Sequence, residues 1–295
     1  MNPVSISRVG VVAKSHLRAA TPHLLDIGTW LHDRGIGTVF ESATAALMPP
    51  DDGRRVADKL DLVGDVDMIV VLGGDGTLLS MADAIATAGK SIPILGVNFG
   101  SLGFLTEVTL PELYPSLDAA LAGRAPIEER LMLSSTTRRR GRVLASHVAL
   151  NDVVMTKGAR SRMIDLSVWV GDEFVTRVKA DGLIVASPTG STAYNLAAGG
   201  PIVQPTVDAL VVTPIAPHTL TNRPIIIPAS ATVRIGPHMD SRDEVFVTFD
   251  GQAGFDVEDG DEISVCRGAH PLQLIHATSR SYFEVLRQKL KWGER

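Results

Sequence analysis

The stretch Val70-Val71-Leu72-Gly73-Gly74-Asp75-Gly76-Thr77 indicates the fold of this chain more directly than any other. Its apolar half predicts a buried strand, its glycines predict a tight turn, and residues Leu78 to Ala88 predict a helix. Such a turn leaves backbone N–H groups at a helix N-terminus free to bind phosphate. The carboxylate of Asp75 would repel an anion bound at this turn. An aspartate at this position is therefore expected only if its carboxylate binds a metal or takes a proton from a nearby hydroxyl. A turn-forming aspartate that caps the helix is the alternative.

Strands and helices alternate through the first half of the chain. Apolar residues recur at spacings of three and four from Leu17 to Leu31, which is typical of an amphipathic helix. The pattern predicts a Rossmann-like α/β domain, with a parallel sheet between helices and ligands at the carboxyl ends of its strands. We predict strands at Val9–Ala13, Thr38–Phe40, Met68–Leu72 and Ile92–Val97.

The second half, from about Leu131, is different in character. Short apolar-alternating segments are separated by turn signals such as Asp250-Gly251 and Asp259-Gly260, as in half-buried antiparallel strands. This pattern predicts a β-rich, sandwich-like domain. Phe283, Leu286 and Leu290 then follow at helical spacing and predict a last helix that returns to the first domain. The predicted domains are residues 1–125, 126–272 and 273–295.

Composition excludes several classes of protein. The formal net charge of −5 argues against a nucleic-acid-binding surface, which needs a basic stripe. The single cysteine, Cys266, allows neither an intrachain disulfide framework nor a zinc spacing. We see no signal peptide and no apolar run of the roughly 20 residues that span a bilayer. The sequence therefore predicts a cytoplasmic protein that binds neither nucleic acid nor membrane.

Common nucleotide and hydrolase motifs are missing from the sequence. There is no Gly-x-x-x-x-Gly-Lys-Ser/Thr loop for ATP, no Gly-x-Gly-x-x-Gly opening the first helix, and no Gly-x-Ser-x-Gly elbow. Phosphoryl transfer remains compatible with Asp75, since it needs a placed hydroxyl, neutralised phosphate charge and usually one carboxylate.

A second glycine-rich segment, Asp181 to Tyr194, again predicts strand, hydroxyl-rich turn and helix. Together with it, the chain resembles the NAD kinase family. The resemblance extends from Val9 to about Leu290 and is far more specific in combination than in any one part. The matching pieces are GGDGT at Gly73–Thr77, the Asn-x-Gly-x-x-Gly-Phe-Leu segment from Asn98, Asn151-Asp152, PTGSTAY at Pro188–Tyr194 and AGGPI at Ala198–Ile202.

The resemblance implies a reaction and its reactants. The acceptor is the 2′-hydroxyl of the adenosine ribose of NAD, Asp75 is the general base, and Mg²⁺ or another divalent cation accompanies the phosphoryl donor. The donor is ATP, another nucleoside triphosphate or polyphosphate, and the sequence does not choose among them. The resemblance also implies self-association, as a dimer or tetramer.

Binding residues are implied in the same way. An amide beside a carboxylate at Asn151-Asp152 can hold two ribose hydroxyls, although an Asx turn is the alternative. The family more often has glutamate at the second position. Asp181 is implied to contact the nicotinamide end of a dinucleotide, which a neighbouring subunit can bring. The implied NAD-binding residues are Asp75, Gly76, Asn151, Asp152, Arg162, Lys179, Asp181, Thr192, Ala193, Tyr194, Asn195, Ala216 and Gln252, the phosphate loop is Gly73, Gly74, Gly76 and Thr77, and the metal ligands are unknown.

Several of these residues have a plain structural alternative. Arg162 and Lys179 equally fit ordinary strand-surface charges, and Gln252 follows an Asp-Gly pair that is typical of a hairpin turn. Two other functions stay open: a lipid kinase that shares the Gly-Gly-Asp-Gly turn, and a dinucleotide sensor without catalytic activity.

Overall fold

The computed structural model describes residues 6–100, 102–158, 162–240, 244–276 and 280–293. The chain divides into two compact units, which we call unit 1 (Met1–Glu129 with Leu272–Arg295) and unit 2 (Arg130–Pro271). Unit 1 runs past the boundary drawn at residue 125, because the strand Ile127–Arg130 is a neighbour of Leu272–Ile275 in the first sheet.

The strands are β1 (Arg8–Ala13), β2 (Gly37–Glu41), β3 (Val56–Ala57), β4 (Met68–Gly73), β5 (Ile94–Asn98), β6 (Val108–Thr109), β7 (Ile127–Arg130), β8 (Leu133–Arg139), β9 (Arg142–Ala149), β10 (Asp152–Lys157), β11 (Ile164–Val170), β12 (Glu173–Ala180), β13 (Gly182–Ala186), β14 (Ala209–Ile215), β15 (Ile225–Pro228), β16 (Val233–His238), β17 (Val245–Phe249), β18 (Ala253–Val257), β19 (Asp261–Arg267) and β20 (Leu272–Ile275). The α-helices are α1 (Thr21–His32), α2 (Ser42–Ala45), α3 (Lys59–Asp65), α4 (Asp75–Thr87), α5 (Leu113–Leu121), α6 (Tyr194–Ala197) and α7 (Tyr282–Leu290). Single 3₁₀ turns cover Arg18–Ala20, Leu110–Glu112 and Thr189–Thr192.

The sheet of unit 1 has the order β3-β2-β1-β4-β5-β20-β7, with β6 paired to β5. Its neighbouring strands are parallel from β3 through β20 and between β5 and β6. Every residue of β4 and β5 is buried, as expected of strands covered on both faces. The core joins β1, β4 and β5 to the apolar face of α1, which presents Leu24, Ile27 and Leu31. The predicted α/β domain is confirmed.

The helix after β4 begins earlier than its sequence pattern suggested. We expected Leu78 as its first residue, but α4 begins at Asp75. Gly74 supplies the extended N-cap, and a carboxylate in the first turn interacts favourably with the helix dipole. Asp75 is therefore part of the helix N-terminus rather than the tip of a free turn.

Unit 2 is a β-sandwich. One sheet has the order β15-β14-β13-β10-β17-β18 and the other β12-β11-β16-β19-β8-β9, with antiparallel neighbours. Inward-facing residues of both sheets, such as Val153, Val185, Leu166 and Val265, form one hydrophobic core. The predicted β-rich domain is confirmed.

The helix α7 near the end of the chain groups with unit 1. Ser281 and Glu284 form a capping box at its start, and Val285 and Leu286 are buried. The Lys289 ammonium lies 5.7 Å from the centre of the Phe104 ring. Among the described residues, no helix is long and apolar enough to cross a membrane.

Candidate active site

The Asp75 carboxylate accepts hydrogen bonds from the loop that follows β5. Its Oδ2 accepts from the Phe104 N–H at 2.8 Å. Its Oδ1 accepts from the N–H groups of Leu105 and Thr106 at 3.1 and 3.0 Å, and from the Thr106 hydroxyl at 2.9 Å. Asp75 is thus held in position at the start of α4, and its carboxylate orders the loop by accepting these hydrogen bonds.

This loop is the Asn-x-Gly-x-x-Gly-Phe-Leu segment that the sequence singled out. A Cβ at Gly103 would overlap Oδ1 of Asp75, so only glycine allows the close approach. The Asn98 amide donates to the Thr106 hydroxyl at 3.1 Å, which links both ends of the loop. Two of the sequence motifs, from Gly73 and from Asn98, therefore meet at one carboxylate.

A cavity of about 280 Å³ lies beside the N-terminus of α4. Lys59 donates to the Ser80 hydroxyl at 2.7 Å, and the Lys14 N–H donates to the Leu72 carbonyl at 2.9 Å. The predicted phosphate-loop residues Gly74, Gly76 and Thr77 therefore share a cavity with Lys14 and Lys59. A Cβ at Gly73 would crowd the side chains of Thr77 and Lys14, so glycine at this position allows the two residues to pack closely beside the cavity. The lining residues are Val12, Lys14, Ser15, Lys59, Gly74, Gly76, Thr77 and Ser80.

In unit 2, three segments meet at Asn151-Asp152. The Asp250 carboxylate accepts from the N–H groups of Leu150, Asn151 and Asp152 at 2.8, 2.7 and 3.0 Å. The Ser187 N–H donates to the Asn151 carbonyl at 2.8 Å. The backbone of the Asn151 turn is thus fully engaged.

The side chains of the same turn are not engaged. Asn151 is half-buried, and its amide makes no hydrogen bond to any residue that the structure describes. Asp152 is 4% exposed, and its carboxyl also accepts no hydrogen bond within the described ranges. Burial, with a smaller contribution from the nearby charge of Asp250, raises the pKa of Asp152 to about 7. A buried carboxyl with a raised pKa and no protein partner is typical of a binding site.

The hydroxyl-rich segment before α6 packs directly on this turn. A Cβ at Gly190 would overlap the Asn151 carbonyl, which explains a glycine between Thr189 and Ser191. Thr192 and Ala193 are half-buried and Tyr194 is 45% exposed. The geometry leaves the Tyr194 ring accessible to a ligand.

The Asn195 side chain has hydrogen-bond partners within unit 2. It is fully buried, its amide donates to the carbonyls of Ser191 and Pro201 at 2.9 and 3.0 Å, and its carbonyl accepts from Thr213 at 2.6 Å. A Cβ at Gly200 would overlap the Asn195 amide. The Asn195 side chain is therefore used inside unit 2, to join three segments.

Asp181 has a cation beside it that lies far from it in sequence. Lys157 Nζ is 3.3 Å from its carboxylate. Strand β10 brings Lys157 there, since the Lys157 N–H also donates to the Asp181 carbonyl. Asp181 is 40% exposed at its side chain, so it needs no partner subunit to balance a buried charge.

The remaining predicted residues are on the surface of unit 2. Lys179 is exposed on β12 and Arg162 is exposed before β11. Ala216 has a φ of 44°, which is unusual for a residue with a side chain, and Gln252 follows a turn in which its N–H donates to the Phe249 carbonyl at 2.9 Å.

No group of three or more His, Cys, Asp or Glu side chains that could hold a metal ion occurs in the described part of the chain. Both oxygens of Asp75 already accept hydrogen bonds from the loop.

Lys14, Lys59 and Asp250 were not predicted as site residues from the sequence. Lys14 directly follows β1, so its position at the carboxyl end of a parallel strand was the available signal. Asp250 was interpreted only as part of a hairpin turn. Its hydrogen bonds to Leu150–Asp152 span about a hundred residues of sequence, which no local pattern reveals.

Comparison with known proteins identifies two family domains. Residues 9–125 match the family described as the ATP-NAD kinase N-terminal domain, and residues 150–277 match the ATP-NAD kinase C-terminal domain. The NAD kinase of Geobacter metallireducens is 47% identical over 290 residues, covering 98% of this chain and all of the relative. The NAD kinase of Geobacter sulfurreducens is 46% identical over 291 residues with the same coverage.

Two solved structures are similar along nearly the whole chain. Yeast NADH kinase complexed with NADH has a TM-score of 0.88 at 27% identity, covering 100% of this chain and 89% of the yeast chain. An NAD kinase from Archaeoglobus fulgidus in complex with ATP has a TM-score of 0.76 at 25% identity, covering 95% and 99%. These comparisons favour neither a lipid kinase nor a non-catalytic sensor.

Proposed function

Because this chain belongs to the NAD kinase family and phosphorylates NAD, we propose that it transfers the γ-phosphoryl group of ATP to the 2′-hydroxyl of the adenosine ribose. We propose Asp75 as the general base. In this reaction a bond forms between the 2′-oxygen and the γ-phosphorus, and the bond from that phosphorus to the bridging oxygen of ADP breaks. The hydroxyl proton goes to Asp75, and the products are NADP and ADP.

The observation that carries the proposal is the anchored carboxylate of Asp75. One of its oxygens, Oδ1, accepts three hydrogen bonds, whereas Oδ2 accepts one among the described residues. Because Oδ2 accepts fewer hydrogen bonds than Oδ1, it is the oxygen that retains the capacity to take a proton. Fixing the rest of the carboxylate favours a single orientation of the base, as general-base catalysis requires.

The cavity at the start of α4 supports ATP phosphates as its ligand. Lys14 and Lys59 provide positive charge, and Gly76 and Thr77 provide backbone and hydroxyl groups at a helix N-terminus. The Archaeoglobus relative is in complex with ATP, which supports ATP over polyphosphate. We expect Mg²⁺ or another divalent cation to accompany the phosphates of ATP, because phosphoryl transfer needs their charge neutralised.

On the acceptor side, we propose that Asn151 and Asp152 bind the ribose hydroxyls. Both side chains lack partners among the described residues, and an amide with a carboxyl matches two adjacent hydroxyls. Thr192, Ala193 and Tyr194 are proposed for the adenine, and Asp181 with Lys157 for the nicotinamide end. Gly76, Arg162, Lys179, Ala216 and Gln252 remain proposed contacts. NADH is a further candidate acceptor, since the yeast relative is complexed with NADH.

The test is a product analysis with the full chain. The protein is incubated with Mg²⁺ and ATP and with NAD, NADH or diacylglycerol, and separately with NAD and polyphosphate. We expect ADP and a phosphomonoester on the 2′-carbon of the adenosine ribose, seen by ³¹P NMR and by an NADP-specific dehydrogenase. Phosphorylation at another position contradicts the proposed acceptor atom. Turnover with polyphosphate but not with ATP contradicts the proposed donor.

We also propose that the active protein is a dimer or tetramer that associates through unit 2. Exposed apolar side chains lie on the edge strands of its second sheet: Val143 and Leu144 on β9, and Phe174 and Val175 on β12. Exposed apolar clusters of this kind favour self-association. Sedimentation at working concentration is expected to show an oligomer, and a fully active monomer contradicts it.

We propose that helix α7 stabilises unit 1 by packing on it. Val285 and Leu286 of this helix are buried, so Leu286→Ala is expected to lower the free energy of unfolding. A cytoplasmic location remains a prediction, which fractionation of cells producing the full chain tests.

A further inference from the structure

Asp250 connects two segments of unit 2 that are far apart in sequence. Its carboxylate accepts from three consecutive backbone N–H groups, those of Leu150, Asn151 and Asp152. In return, its own N–H donates to the Asp152 carbonyl at 3.0 Å. Four hydrogen bonds therefore define the backbone from which the Asn151 and Asp152 side chains project.

The backbone of Asp250 adopts a conformation that is unfavourable for most residues with a side chain. Its φ is 51° and that of Gly251 is 66°, the left-handed conformations of a tight hairpin turn between β17 and β18. Aspartate tolerates this region better than most residues, but glycine or asparagine would suffice for the turn alone. A charged side chain that accepts three N–H groups does more than form a hairpin.

We infer that Asp250 is a positioning residue for NAD, which holds the Leu150–Asp152 backbone in the conformation that presents Asn151 and Asp152 to the ribose. This inference rests on the proposed ribose-binding role of those two residues. Asp250 itself does not contact the reacting atoms. It acts through the turn that it holds.

The carboxylate of Asp250 also affects the chemistry of Asp152. Burial is the main cause of the raised pKa of Asp152, and the negative charge of Asp250 raises that pKa further. Asp250 is the charged group that acts on Asp152 among the described residues. Removing its charge is therefore expected to lower the pKa of Asp152, whereas a variant that only weakens the fold has no such specific effect.

Two substitutions separate the hydrogen bonds from the charge. Asp250→Ala removes both, and Asp250→Asn keeps an amide oxygen that accepts N–H groups while removing the charge. For Asp250→Ala we expect the Kd and KM for NAD to rise about 10- to 100-fold, because three backbone donors lose their acceptor. The KM for ATP is expected to stay unchanged. Asp250→Asn is expected to recover part of the NAD affinity and to shift the pH dependence of NAD binding to lower pH.

Asp259→Asn is the matched control. Asp259 also precedes a glycine in a turn of unit 2, is exposed, and accepts one backbone N–H, that of Met239 at 3.0 Å. We expect this variant to bind NAD and ATP like the wild type. Asn151→Ala, measured in parallel, tests the ribose-binding role on which the inference rests.

The outcomes are distinct. Weaker NAD binding in Asn151→Ala and in both Asp250 variants, with an unchanged KM for ATP, supports the positioning role. Weaker binding in Asn151→Ala with wild-type affinity in Asp250→Asn and Asp250→Ala overturns it and leaves the proposed function intact. Unchanged affinity in Asn151→Ala overturns the ribose contact itself. If Asp250→Ala does not fold, the affinity and pH profile of Asp250→Asn decide.

Discussion

Asp75 and Asp152 are both aspartates at the ends of buried strands, but their carboxyls have opposite surroundings. Asp75 accepts four hydrogen bonds from Phe104, Leu105 and Thr106 and so is fixed in orientation. Asp152 accepts none among the described residues, is nearly fully buried, and has a pKa raised to about 7. The contrast fits the two roles proposed above, a fixed general base at Asp75 and a ligand-binding carboxyl at Asp152.

The two units differ in which carboxylate accepts hydrogen bonds from the backbone N–H groups. In unit 1, the loop N–H groups donate directly to the Asp75 carboxylate. In unit 2, the N–H groups of the Asn151 turn donate to Asp250, and the side chains of Asn151 and Asp152 have no hydrogen-bond partner among the described residues. An unsatisfied buried carboxyl costs stability, which is acceptable where a ligand supplies the missing partners.

The largest expected effect is that of Asp75→Asn. Removing the base is expected to lower kcat by a factor on the order of 10²–10⁴, while NAD binding persists. Asp83→Asn on the exposed face of α4 is the control and is expected to retain full activity. Hydrogen exchange at residues 104–106 reports whether the loop remains anchored. Near-normal turnover in Asp75→Asn contradicts the general-base role, and a loss confined to metal dependence makes Asp75 a metal ligand instead.

Asp152→Asn tests the other carboxyl through stability. The ordinary pKa of this group is 3.8, and in the folded state it is about 7, so the folded protein binds a proton that the unfolded chain has lost. The wild type therefore loses stability as pH rises from about 4 to about 7, on the order of 2–4 kcal/mol, and the loss is complete above the folded pKa. Urea unfolding at about pH 5 and about pH 8 measures this difference. The same slope in Asp152→Asn assigns the effect to other groups.

Two glycines, Gly103 and Gly190, allow close packing at the two aspartate sites and provide a further test of the difference between them. A Cβ at Gly103 overlaps the Asp75 carboxylate, and one at Gly190 overlaps the Asn151 carbonyl. Gly103→Ala is expected to lower kcat on the order of 10²-fold by displacing the base, whereas Gly190→Ala is expected to weaken NAD binding. Gly64→Ala in α3, where a Cβ meets no atom within 4 Å, is the control and is expected to stabilise the fold by about 0.5–1 kcal/mol. Equal effects of both variants on kcat and on NAD affinity contradict the division between the units.

The smallest expected effect is that of Lys59→Ala in the cavity of unit 1. Losing one charge-assisted contact to phosphate is expected to raise the KM for ATP about tenfold and to leave NAD affinity unchanged. Lys90→Ala, at an exposed position outside the cavity, serves as the control. Steady-state kinetics with each substrate varied in turn measures both constants. A rise in the KM for NAD alone reassigns Lys59 to the acceptor.

Local patterns were enough to predict the architecture. The apolar run at β4, the helical spacing of α1 and the alternating second half each encode their own element. The start of α4 at Asp75 was missed because an aspartate after glycine fits both a turn and a helix first turn. Two pairings were not predicted: Lys157 with Asp181, and Asp250 with the turn at Asn151. Strand register brings the members of each pair together, and their spacing in the sequence does not reveal it.

The most direct test of the contrast between the two aspartates is an NMR titration of ¹³C-labelled aspartate carboxyls, with Asp152→Asn used to assign one resonance. We predict that the resonance missing from this variant titrates in the wild type with a midpoint of about 7, and that saturating NAD displaces the midpoint. A midpoint in the ordinary range of an exposed aspartate, or one that NAD leaves unchanged, contradicts the claim that Asp152 is a buried carboxyl kept open for the ligand.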